Sequence, residues 1–297
     1  MAVYRHPAYD IRITNTMPSL RSFLTVAATT TLAAASIIPN DFSCRSTEHP
    51  NPVVLLHGLG ATGYEDINAL QWWLQSQNYC TFAHTYGAYK GFPFVGGLKP
   101  INESSGEITD YILEVKDKTG AEKVDIVGHS EGAFQTLYVP KFHRDELAGV
   151  LDRLVAIAPP TRGTDFAGLY KLAIDLGNNT KETVDKVLDT VGCQACAELV
   201  TGGEAIQRLN DGQPIVQEGT TLTVIASKHD ELVTPPTTSF VHEEDVNNIW
   251  IQDYCPLDPV GHLNGGYDTN VWHIVSNALD ADLKRKFACL AGAPFRA

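Results

Sequence analysis

The sequence around Ser130 constrains the fold of this 297-residue chain more than any other feature. A largely apolar run at 123–127 is typical of a buried strand, and the residues at 133–138 are typical of a helix start. Between them lies Gly128–Gly132 (GHSEG), a G-x-S-x-G pattern. The turn in such a strand–turn–helix is so sharp that glycines are needed on both sides of the serine. The segment therefore predicts a nucleophile elbow, which exposes the hydroxyl of Ser130 and directs the following N–H groups at a developing oxyanion.

Strand-like and helix-like segments alternate along the rest of the chain. Short apolar runs predict further strands at 53–56, 80–83, 151–158, 222–227 and 248–252. Apolar residues at helical spacing predict helices at 66–77, before Gly120 and at 268–279. Ser104-x-x-Glu107 resembles a capping box at the start of the second of these helices. The alternation predicts a single α/β domain with a mostly parallel sheet flanked by helices on both faces.

A serine hydroxyl is a poor nucleophile at neutral pH unless a base and an orienting carboxylate lie close to it. In sheets of this kind the acid follows the serine along the chain and the histidine follows the acid. Asp230 comes shortly after the strand expected at 222–227, so it is the predicted acid. Glu231 is the nearest alternative.

Three histidines follow the predicted acid: His242, His262 and His273. His262 comes after the strand expected at 248–252 and has glycine neighbours that permit close backbone approach, so it is the predicted base. His242 precedes that strand, and His273 lies inside the last predicted helix.

An oxyanion hole needs two backbone N–H donors. The residue after the nucleophile, Glu131, is one predicted donor, and Leu59 in the loop after the first strand is the other. His57 and His129 are expected to lie in turns and to shape the backbone. This chemistry requires no cofactor, and none is expected.

The charge and the N-terminal residues bear on partners and localisation. A net charge of −13 at pH 7 argues against nucleic acids and anionic membrane surfaces as partners. Arg21 precedes an apolar stretch that ends in small residues, which predicts a signal peptide over 1–36 and a secreted protein. Met17 is the expected start, because it places Arg21 four positions in. The alternative is a membrane anchor, but the stretch is short for the about 20 apolar residues that a span needs.

Six cysteines follow the expected signal peptide, and an even number in a secreted chain predicts disulfides. Cys193 and Cys196 form the local pair. No second CxxC or suitably spaced histidine pair accompanies them, so no metal site is expected. Asn102 and Asn178 lie in glycosylation sequons.

Five strings, taken in order, carry a resemblance to a known family. They are Pro52–Gly58 (PVVLLHG), the GHSEG turn, Ala158–Pro160 with Arg162–Thr164 (APP and RGT), Asp230–Pro235 (DELVTP) and Gln252–Pro256 (QDYCP). Together they resemble the secreted class 2 lipases of the α/β-hydrolase superfamily, found in actinomycetes and fungi. The resemblance covers about residues 42–290 and implies an α/β-hydrolase domain over 37–297.

The resemblance also implies an activity and its residues. It implies hydrolysis of acyl glycerols or similar lipids without a cofactor, with Ser130, Asp230 and His262 as the catalytic triad. Many of these lipases carry Gln or Met after the serine, where this chain has Glu131. The family pattern further favours Cys44–Cys80 and Cys255–Cys289 as disulfides.

The leading functional hypothesis is a secreted triacylglycerol lipase that meets a lipid or other ester substrate at a lipid–water interface, without an obligate protein partner. A short-chain esterase or cutinase-like polyester hydrolase with the same triad is the alternative. An alternative of another class is a catalytically silent binding module on this fold.

The segment at 161–200 is long for a connection inside a compact domain and mixes apolar with charged residues. It predicts a helical cap-like insertion, which is either a mobile cover over Ser130 or a rigid layer on the sheet. Four apolar residues are candidates for an acyl pocket, with core packing as the alternative: Phe92, Phe94, Leu169 and Leu172.

Overall fold

The computed structural model describes residues 40–90, 93, 95–165 and 192–291. Several predictions fall outside these residues. They are the signal peptide, most of the cap-like insertion, the sequon at Asn178 and the candidate pocket residues Phe92, Phe94, Leu169 and Leu172.

The described residues contain a six-stranded sheet in the order β2-β1-β3-β4-β5-β6. The strands are β1 Val53–Leu56, β2 Thr81–Ala83, β3 Val124–His129, β4 Leu151–Ile157, β5 Thr221–Ala226 and β6 Asn247–Trp250. Every neighbouring pair is parallel. Strands of a parallel sheet are covered on both faces, which is why most of them coincide with continuous apolar runs. The predicted α/β fold is confirmed.

Seven α-helices and one 3₁₀ turn accompany the strands in this part of the chain. They are α1 Asn68–Ser76, α2 Ile101–Thr119, α3 Glu131–Phe142, α4 Gln194–Leu199, α5 Glu204–Leu209, α6 Ile251–Tyr254, α7 Thr269–Leu279 and the turn Pro236–Ser239. Asp268 caps α7, because its side chain accepts from the N–H groups of Asn270 and Val271. Among the helices of the described ranges, none has both the length and the apolar character to cross a bilayer.

The helices cover both faces of the sheet. Val54 and Leu56 of β1 belong to an apolar cluster that includes α2, α3, α4 and α5. Val53 and Leu55 belong to a second cluster that includes α1 and α7. Alternate residues of a strand point to opposite faces, so the fully buried β1 contributes to both layers.

The carboxyl ends of β1 and β3 lie side by side, because these strands are neighbours in the sheet. The chain after β1 turns to β2 on one side, and the chain after β3 turns to β4 on the other. In open parallel sheets, ligands bind where the strand order reverses in this way. The turn at Ser130 and the loop at Leu59 both lie at this position.

The start of α2 differs from the sequence prediction. The helix begins at Ile101, three residues before Ser104, and Ser104 is buried within its first turn. The capping-box prediction was therefore wrong. Instead, the side chain of Glu198 accepts a hydrogen bond of 2.8 Å from the N–H of Ile101. A carboxylate distant in sequence stabilises this helix end, which local sequence cannot reveal.

Two further boundaries differ. The strand predicted at 248–252 ends at Trp250, and Gln252 lies in the short helix α6. His129 is the last residue of β3 rather than part of a turn.

The described residues contain three disulfides, which are the local pair expected from the sequence and the two pairs that the family resemblance favours. They are Cys44–Cys80, Cys193–Cys196 and Cys255–Cys289. The first ties the N-terminal arm to the residue before β2, and the third ties the end of α6 to the C-terminal segment.

The two ends of the predicted insertion meet beside the sheet. Thr164 forms an isolated parallel bridge with Val200. The N–H of Thr164 donates to the carbonyl of Leu199 at 3.1 Å, and the N–H of Thr201 donates to the carbonyl of Thr164 at 3.1 Å. Residues 164 and 200 therefore lie side by side.

Candidate active site

Ser130 lies in the predicted sharp turn between β3 and α3. Its φ is 56°, a left-handed conformation that is uncommon for a residue with a side chain. A Cβ on Gly128 would lie 2.1 Å from the carbonyl oxygen of Gly132, and a Cβ on Gly132 would lie 2.2 Å from that of Leu56. Both glycines are therefore required by close backbone contacts.

A chain of hydrogen bonds joins the three predicted triad residues. His262 Nε2 lies 2.8 Å from Ser130 Oγ. His262 Nδ1 lies 2.8 Å from Asp230 Oδ2. Ser130 is partly exposed, whereas Asp230 and His262 are buried. The arrangement leaves one lone pair of the neutral imidazole facing the serine hydroxyl while the other ring nitrogen donates to the carboxylate.

Backbone N–H groups hold the carboxylate of Asp230. Its Oδ1 accepts from Leu232 N–H at 2.9 Å and from Val233 N–H at 2.8 Å. The other oxygen is directed at His262. Hydrogen bonds to both oxygens therefore fix the orientation of the carboxylate.

The loop that carries His262 is fixed by three side chains for which the sequence predicted no positioning role. Ser227 Oγ donates to the carbonyl of Val260 at 2.5 Å. Gln252 Nε2 donates to Ser227 Oγ at 3.0 Å and to the carbonyl of Asp258 at 2.9 Å. The alternative acid, Glu231, accepts from the backbone N–H of His262 at 2.8 Å. Of these, Glu231 and Gln252 fall inside strings shared with the resembled family, and Ser227 does not.

The alternative bases lie elsewhere. His242 is exposed before β6. His273 lies within α7, with its ring stacked on Phe287 at 4.8 Å between centroids. Among the described residues, neither histidine has a hydrogen bond to Ser130 or Asp230.

The two residues predicted to supply the oxyanion donors line one cavity. Leu59 and Glu131 both line a cavity of about 200 Å³ that also contains Ser130 and His262. Within the described ranges, neither backbone N–H donates to a protein acceptor. The cavity walls are largely apolar and include Pro160, Leu199, Leu232, Val233 and Leu263.

His57 shapes the loop that carries Leu59. Its Nδ1–H donates to the carbonyl of Gly58 at 2.8 Å, and its Nε2 accepts from Tyr86 N–H at 3.3 Å. Tyr86 also stacks on the ring at 4.2 Å and donates from its hydroxyl to the carbonyl of His57 at 2.6 Å. Burial lowers the pKa of His57, which is consistent with this neutral, structural imidazole.

Glu131 has a buried carboxyl group. Neither of its carboxyl oxygens has a hydrogen-bond partner among the described residues. Burial raises the pKa of Glu131 well above its ordinary value, and the nearby Glu198 carboxylate acts in the same direction. Burial therefore favours the neutral form of this group.

In residues 40–90, 93, 95–165 and 192–291, no cluster of three or more His, Cys, Asp or Glu side chains is arranged to hold a metal ion.

Comparison with known proteins identifies the family. The family model described as Lipase (class 2) matches residues 50–264. The chain belongs to this family.

Two curated relatives of this lipase-family chain are triacylglycerol lipases, from Pseudarthrobacter phenanthrenivorans and Burkholderia plantarii. Each is 34% identical to it over 123 residues. The matches cover 39% of this chain and 35% and 31% of those proteins, respectively. The chain thus spans about a third of the length of the curated relatives it matches.

A solved structure shares the fold. Aspergillus fumigatus lipase B is similar with a TM-score of 0.63 and 18% identity. The match covers 86% of this chain and 60% of that chain.

Proposed function

We propose that this protein is a secreted carboxylic-ester hydrolase that cleaves lipid esters through an acyl-enzyme on Ser130. The observation that carries this proposal is the hydrogen-bond chain Ser130–His262–Asp230, with both contacts at 2.8 Å. It lies beside two backbone N–H groups, at Leu59 and Glu131, that are available to an oxyanion. This is the constellation that serine acyl transfer requires.

The acylation step follows from the geometry. His262 Nε2 takes the proton from Ser130 Oγ while that oxygen bonds to the ester carbonyl carbon. The carbonyl electron pair moves to oxygen, which the N–H groups of Leu59 and Glu131 stabilise. When the tetrahedral intermediate collapses, the C–O bond to the alcohol breaks and His262 gives its proton to the departing oxygen. Asp230 holds the imidazole in the required tautomer throughout.

Deacylation repeats the step with water. His262 takes a proton from water as the water oxygen bonds to the acyl carbon. Collapse breaks the bond to Ser130 Oγ, which recovers its proton from His262. The products are a carboxylic acid and an alcohol, and the enzyme returns to its starting state.

The family membership and the named activity of the two curated relatives support lipid esters as the substrate class. The apolar side chains around the cavity, such as Leu199, Val233 and Leu263, suit an acyl chain. A largely apolar surface beside the serine disfavours charged acyl groups.

The size of the cavity favours a second candidate, a short-chain esterase. The described residues enclose about 200 Å³, which is less than the about 300–1,000 Å³ of most small-molecule pockets. A cavity of this size accommodates short acyl groups most readily. Rates on p-nitrophenyl acetate, butyrate and octanoate separate the two candidates. A lipase prefers the longer esters, and a short-chain esterase prefers acetate.

Secretion is supported by two features. The residues at 21–36 have the basic, apolar and small-residue pattern of a signal peptide. The three disulfides are typical of an oxidising compartment. On this proposal residues 37–297 form the mature domain, with a cap-like insertion near 161–200. Mass spectrometry of protein recovered from the medium tests the cleavage site.

Labelling with a fluorophosphonate tests the catalytic proposal. The wild type should become labelled at Ser130 and should hydrolyse p-nitrophenyl butyrate. Ser130→Ala should lose labelling and should lose turnover by about 10⁶-fold. Ser76 is an exposed serine at the end of α1, so Ser76→Ala is the matched control and should keep both properties. An unlabelled, folded wild type would indicate the silent binding module instead.

A further inference from the structure

A second histidine–aspartate pair lies directly beside the proposed triad. His129 is buried at the end of β3, and its Nδ1 lies 2.7 Å from Asp66 Oδ1. Its Nε2 lies 3.0 Å from the carbonyl oxygen of His262. A carbonyl oxygen can only accept, so Nε2 carries a hydrogen. The carboxylate of Asp66 also accepts from Gly58 N–H, which favours its ionised form. His129 is therefore an imidazolium that donates from both nitrogens.

The electrostatics of the pair agree with this assignment. Burial by itself lowers the pKa of His129, but the Asp66 carboxylate outweighs it and the pKa is raised. Burial likewise raises the pKa of Asp66, but the charge and hydrogen bond of His129 outweigh it and the pKa is lowered. The two groups thus stabilise each other in their charged forms.

Asp66 connects this pair to the oxyanion loop. Its Oδ2 accepts from Gly58 N–H at 2.7 Å, one residue before Leu59. Its own N–H donates to the hydroxyl of Tyr267 at 2.8 Å. Asp66 has a φ of 65°, a left-handed conformation that such contacts must hold in place.

The loop after His262 is packed closely on the same pair. The carbonyl of His262 accepts from Gly265 N–H at 3.0 Å as well as from His129. A Cβ on Gly266 would lie 2.3 Å from the carbonyl oxygen of Asp66. The close contact leaves no space for this loop to move toward β3, and the hydrogen bonds keep it from moving away.

We propose that Asp66 and His129 are positioning residues that tie the oxyanion loop to the loop of the base. The connection runs from Gly58 N–H through Asp66 and His129 to the carbonyl of His262. It keeps the N–H donor of Leu59 and the imidazole of His262 in their positions relative to the hydroxyl of Ser130. The inference rests on the proposed function of these three residues.

Three substitutions dissect the connection. In His129→Asn, the amide can replace Nδ1 and donate to Asp66, but it cannot reach the carbonyl of His262. In His129→Gln, the longer amide can replace Nε2 and donate to that carbonyl, but it leaves Asp66. In Asp66→Asn, a neutral His129 can accept at Nδ1 from the new amide and still donate from Nε2, so the path is retained without charge.

The expected kinetics follow from which contact survives. His129→Asn should lower kcat on p-nitrophenyl butyrate by about 10²-fold with little change in KM, because a misplaced base affects the chemical step. The decrease in kcat should be smaller for His129→Gln, because this variant keeps the contact to the loop that carries His262. It should be smallest for Asp66→Asn. His242 is exposed and takes part in none of these contacts, so His242→Asn is the control and should have the kcat of the wild type.

Nitrogen NMR gives a readout that a purely structural role would not move. At neutral pH the ring ¹⁵N shifts of His129 should show both nitrogens protonated in the wild type and only one in Asp66→Asn. A wild-type His129 with a single protonated nitrogen would overturn the assignment, whatever the stability of the variants.

The outcomes separate this inference from the proposed function. If the Ser130→Ala variant keeps ester hydrolysis, the proposed function is wrong. If Ser130→Ala abolishes hydrolysis but folded His129→Asn and His129→Gln variants keep the wild-type kcat, only the positioning role is wrong. If His129→Asn does not fold, His129→Gln, Asp66→Asn and the NMR shifts still decide.

Discussion

The carboxylate of Glu231 accepts a hydrogen bond of 2.8 Å from the backbone N–H of His262. The preceding residue, Asp230, accepts at the same distance from the ring nitrogen Nδ1. Two adjacent acidic side chains therefore hold one histidine, one by its ring and the other by its backbone. A Cβ on Gly261 would lie 2.3 Å from Glu231 Oε2, so glycine at that position permits the backbone contact.

This division of contacts predicts unequal effects of two isosteric substitutions. Asp230→Asn should lower turnover by about 10⁴-fold, because an amide stabilises the wrong tautomer of His262. Glu231→Gln keeps an oxygen that can accept from the His262 N–H, so its loss should be far smaller. Steady-state kinetics on p-nitrophenyl butyrate measure both. A larger loss in Glu231→Gln would assign the acid to Glu231.

Local sequence signals identified the elements that carry this site. The run at 123–127 and the pattern Gly128–Gly132 describe neighbouring residues, so the elbow was visible without the fold. The order of serine, acid and histidine then selected Asp230 and His262, which the structure brings together with Ser130. Their catalytic roles stay predictions.

The contacts that the sequence did not reveal are long-range. Asp66 and His129 are 63 residues apart, and Ile101 and Glu198 are 97 apart. No periodicity or spacing links such pairs, because only the packing of the sheet brings them together. For the same reason Ser104 looked like a helix cap while Glu198 provides the acceptor.

The disulfides are expected to differ in their contribution to stability. Cys44–Cys80 closes a loop with a sequence separation of 36, whereas Cys193–Cys196 closes one of 3. In the chain-entropy model these separations correspond to about 4 and about 1.5 kcal/mol of stability at 25 °C. Urea unfolding of the Cys44→Ala/Cys80→Ala and Cys193→Ala/Cys196→Ala variants measures both. Equal losses would mean that loop length does not govern the effect.

Alanine substitutions at two glycines should change the stability of the protein in opposite directions. Gly128→Ala would bring a Cβ to 2.1 Å from the carbonyl of Gly132, so it should destabilise the protein by about 3 kcal/mol and disturb the elbow. Gly106 lies inside α2 with open space around its Cβ position. Gly106→Ala should therefore stabilise the protein by about 1 kcal/mol. Thermal unfolding of both variants checks the signs, and a stable, fully active Gly128→Ala would contradict the close packing at the turn.

Glu131 predicts a specific pH dependence of stability. Its carboxyl group lies against Gly97, where a Cβ would come within 2.1 Å of Oε2. The amide nitrogen of Gln135 donates to the carbonyl of Ile101 at 3.1 Å, which leaves Gln135 Oε1 without a donor in the described part of the chain. A protonated Glu131, or a glutamine in its place, can supply that donor.

The direction of this pH dependence follows from the raised pKa of Glu131. Burial, together with the charge of Glu198, raises the pKa of Glu131 in the folded state, whereas the unfolded chain ionises near pH 4.3. Above that pH the folded protein binds a proton that the unfolded chain has released. The contribution of Glu131 to the free energy of unfolding therefore falls as pH rises from about 4.3 through the raised pKa of the folded state.

Glu131→Gln removes this dependence because the amide does not ionise. The unfolding midpoint of the variant, relative to the wild type, should rise with pH above about 4.3 until the raised pKa of Glu131 is passed. Glu244 is an exposed carboxylate, so Glu244→Gln is the matched control and should follow the wild type at each pH. A difference between Glu131→Gln and wild type that stays constant with pH would mean that Glu131 is ionised in the folded protein, and that the space beside Gly97 holds a charge.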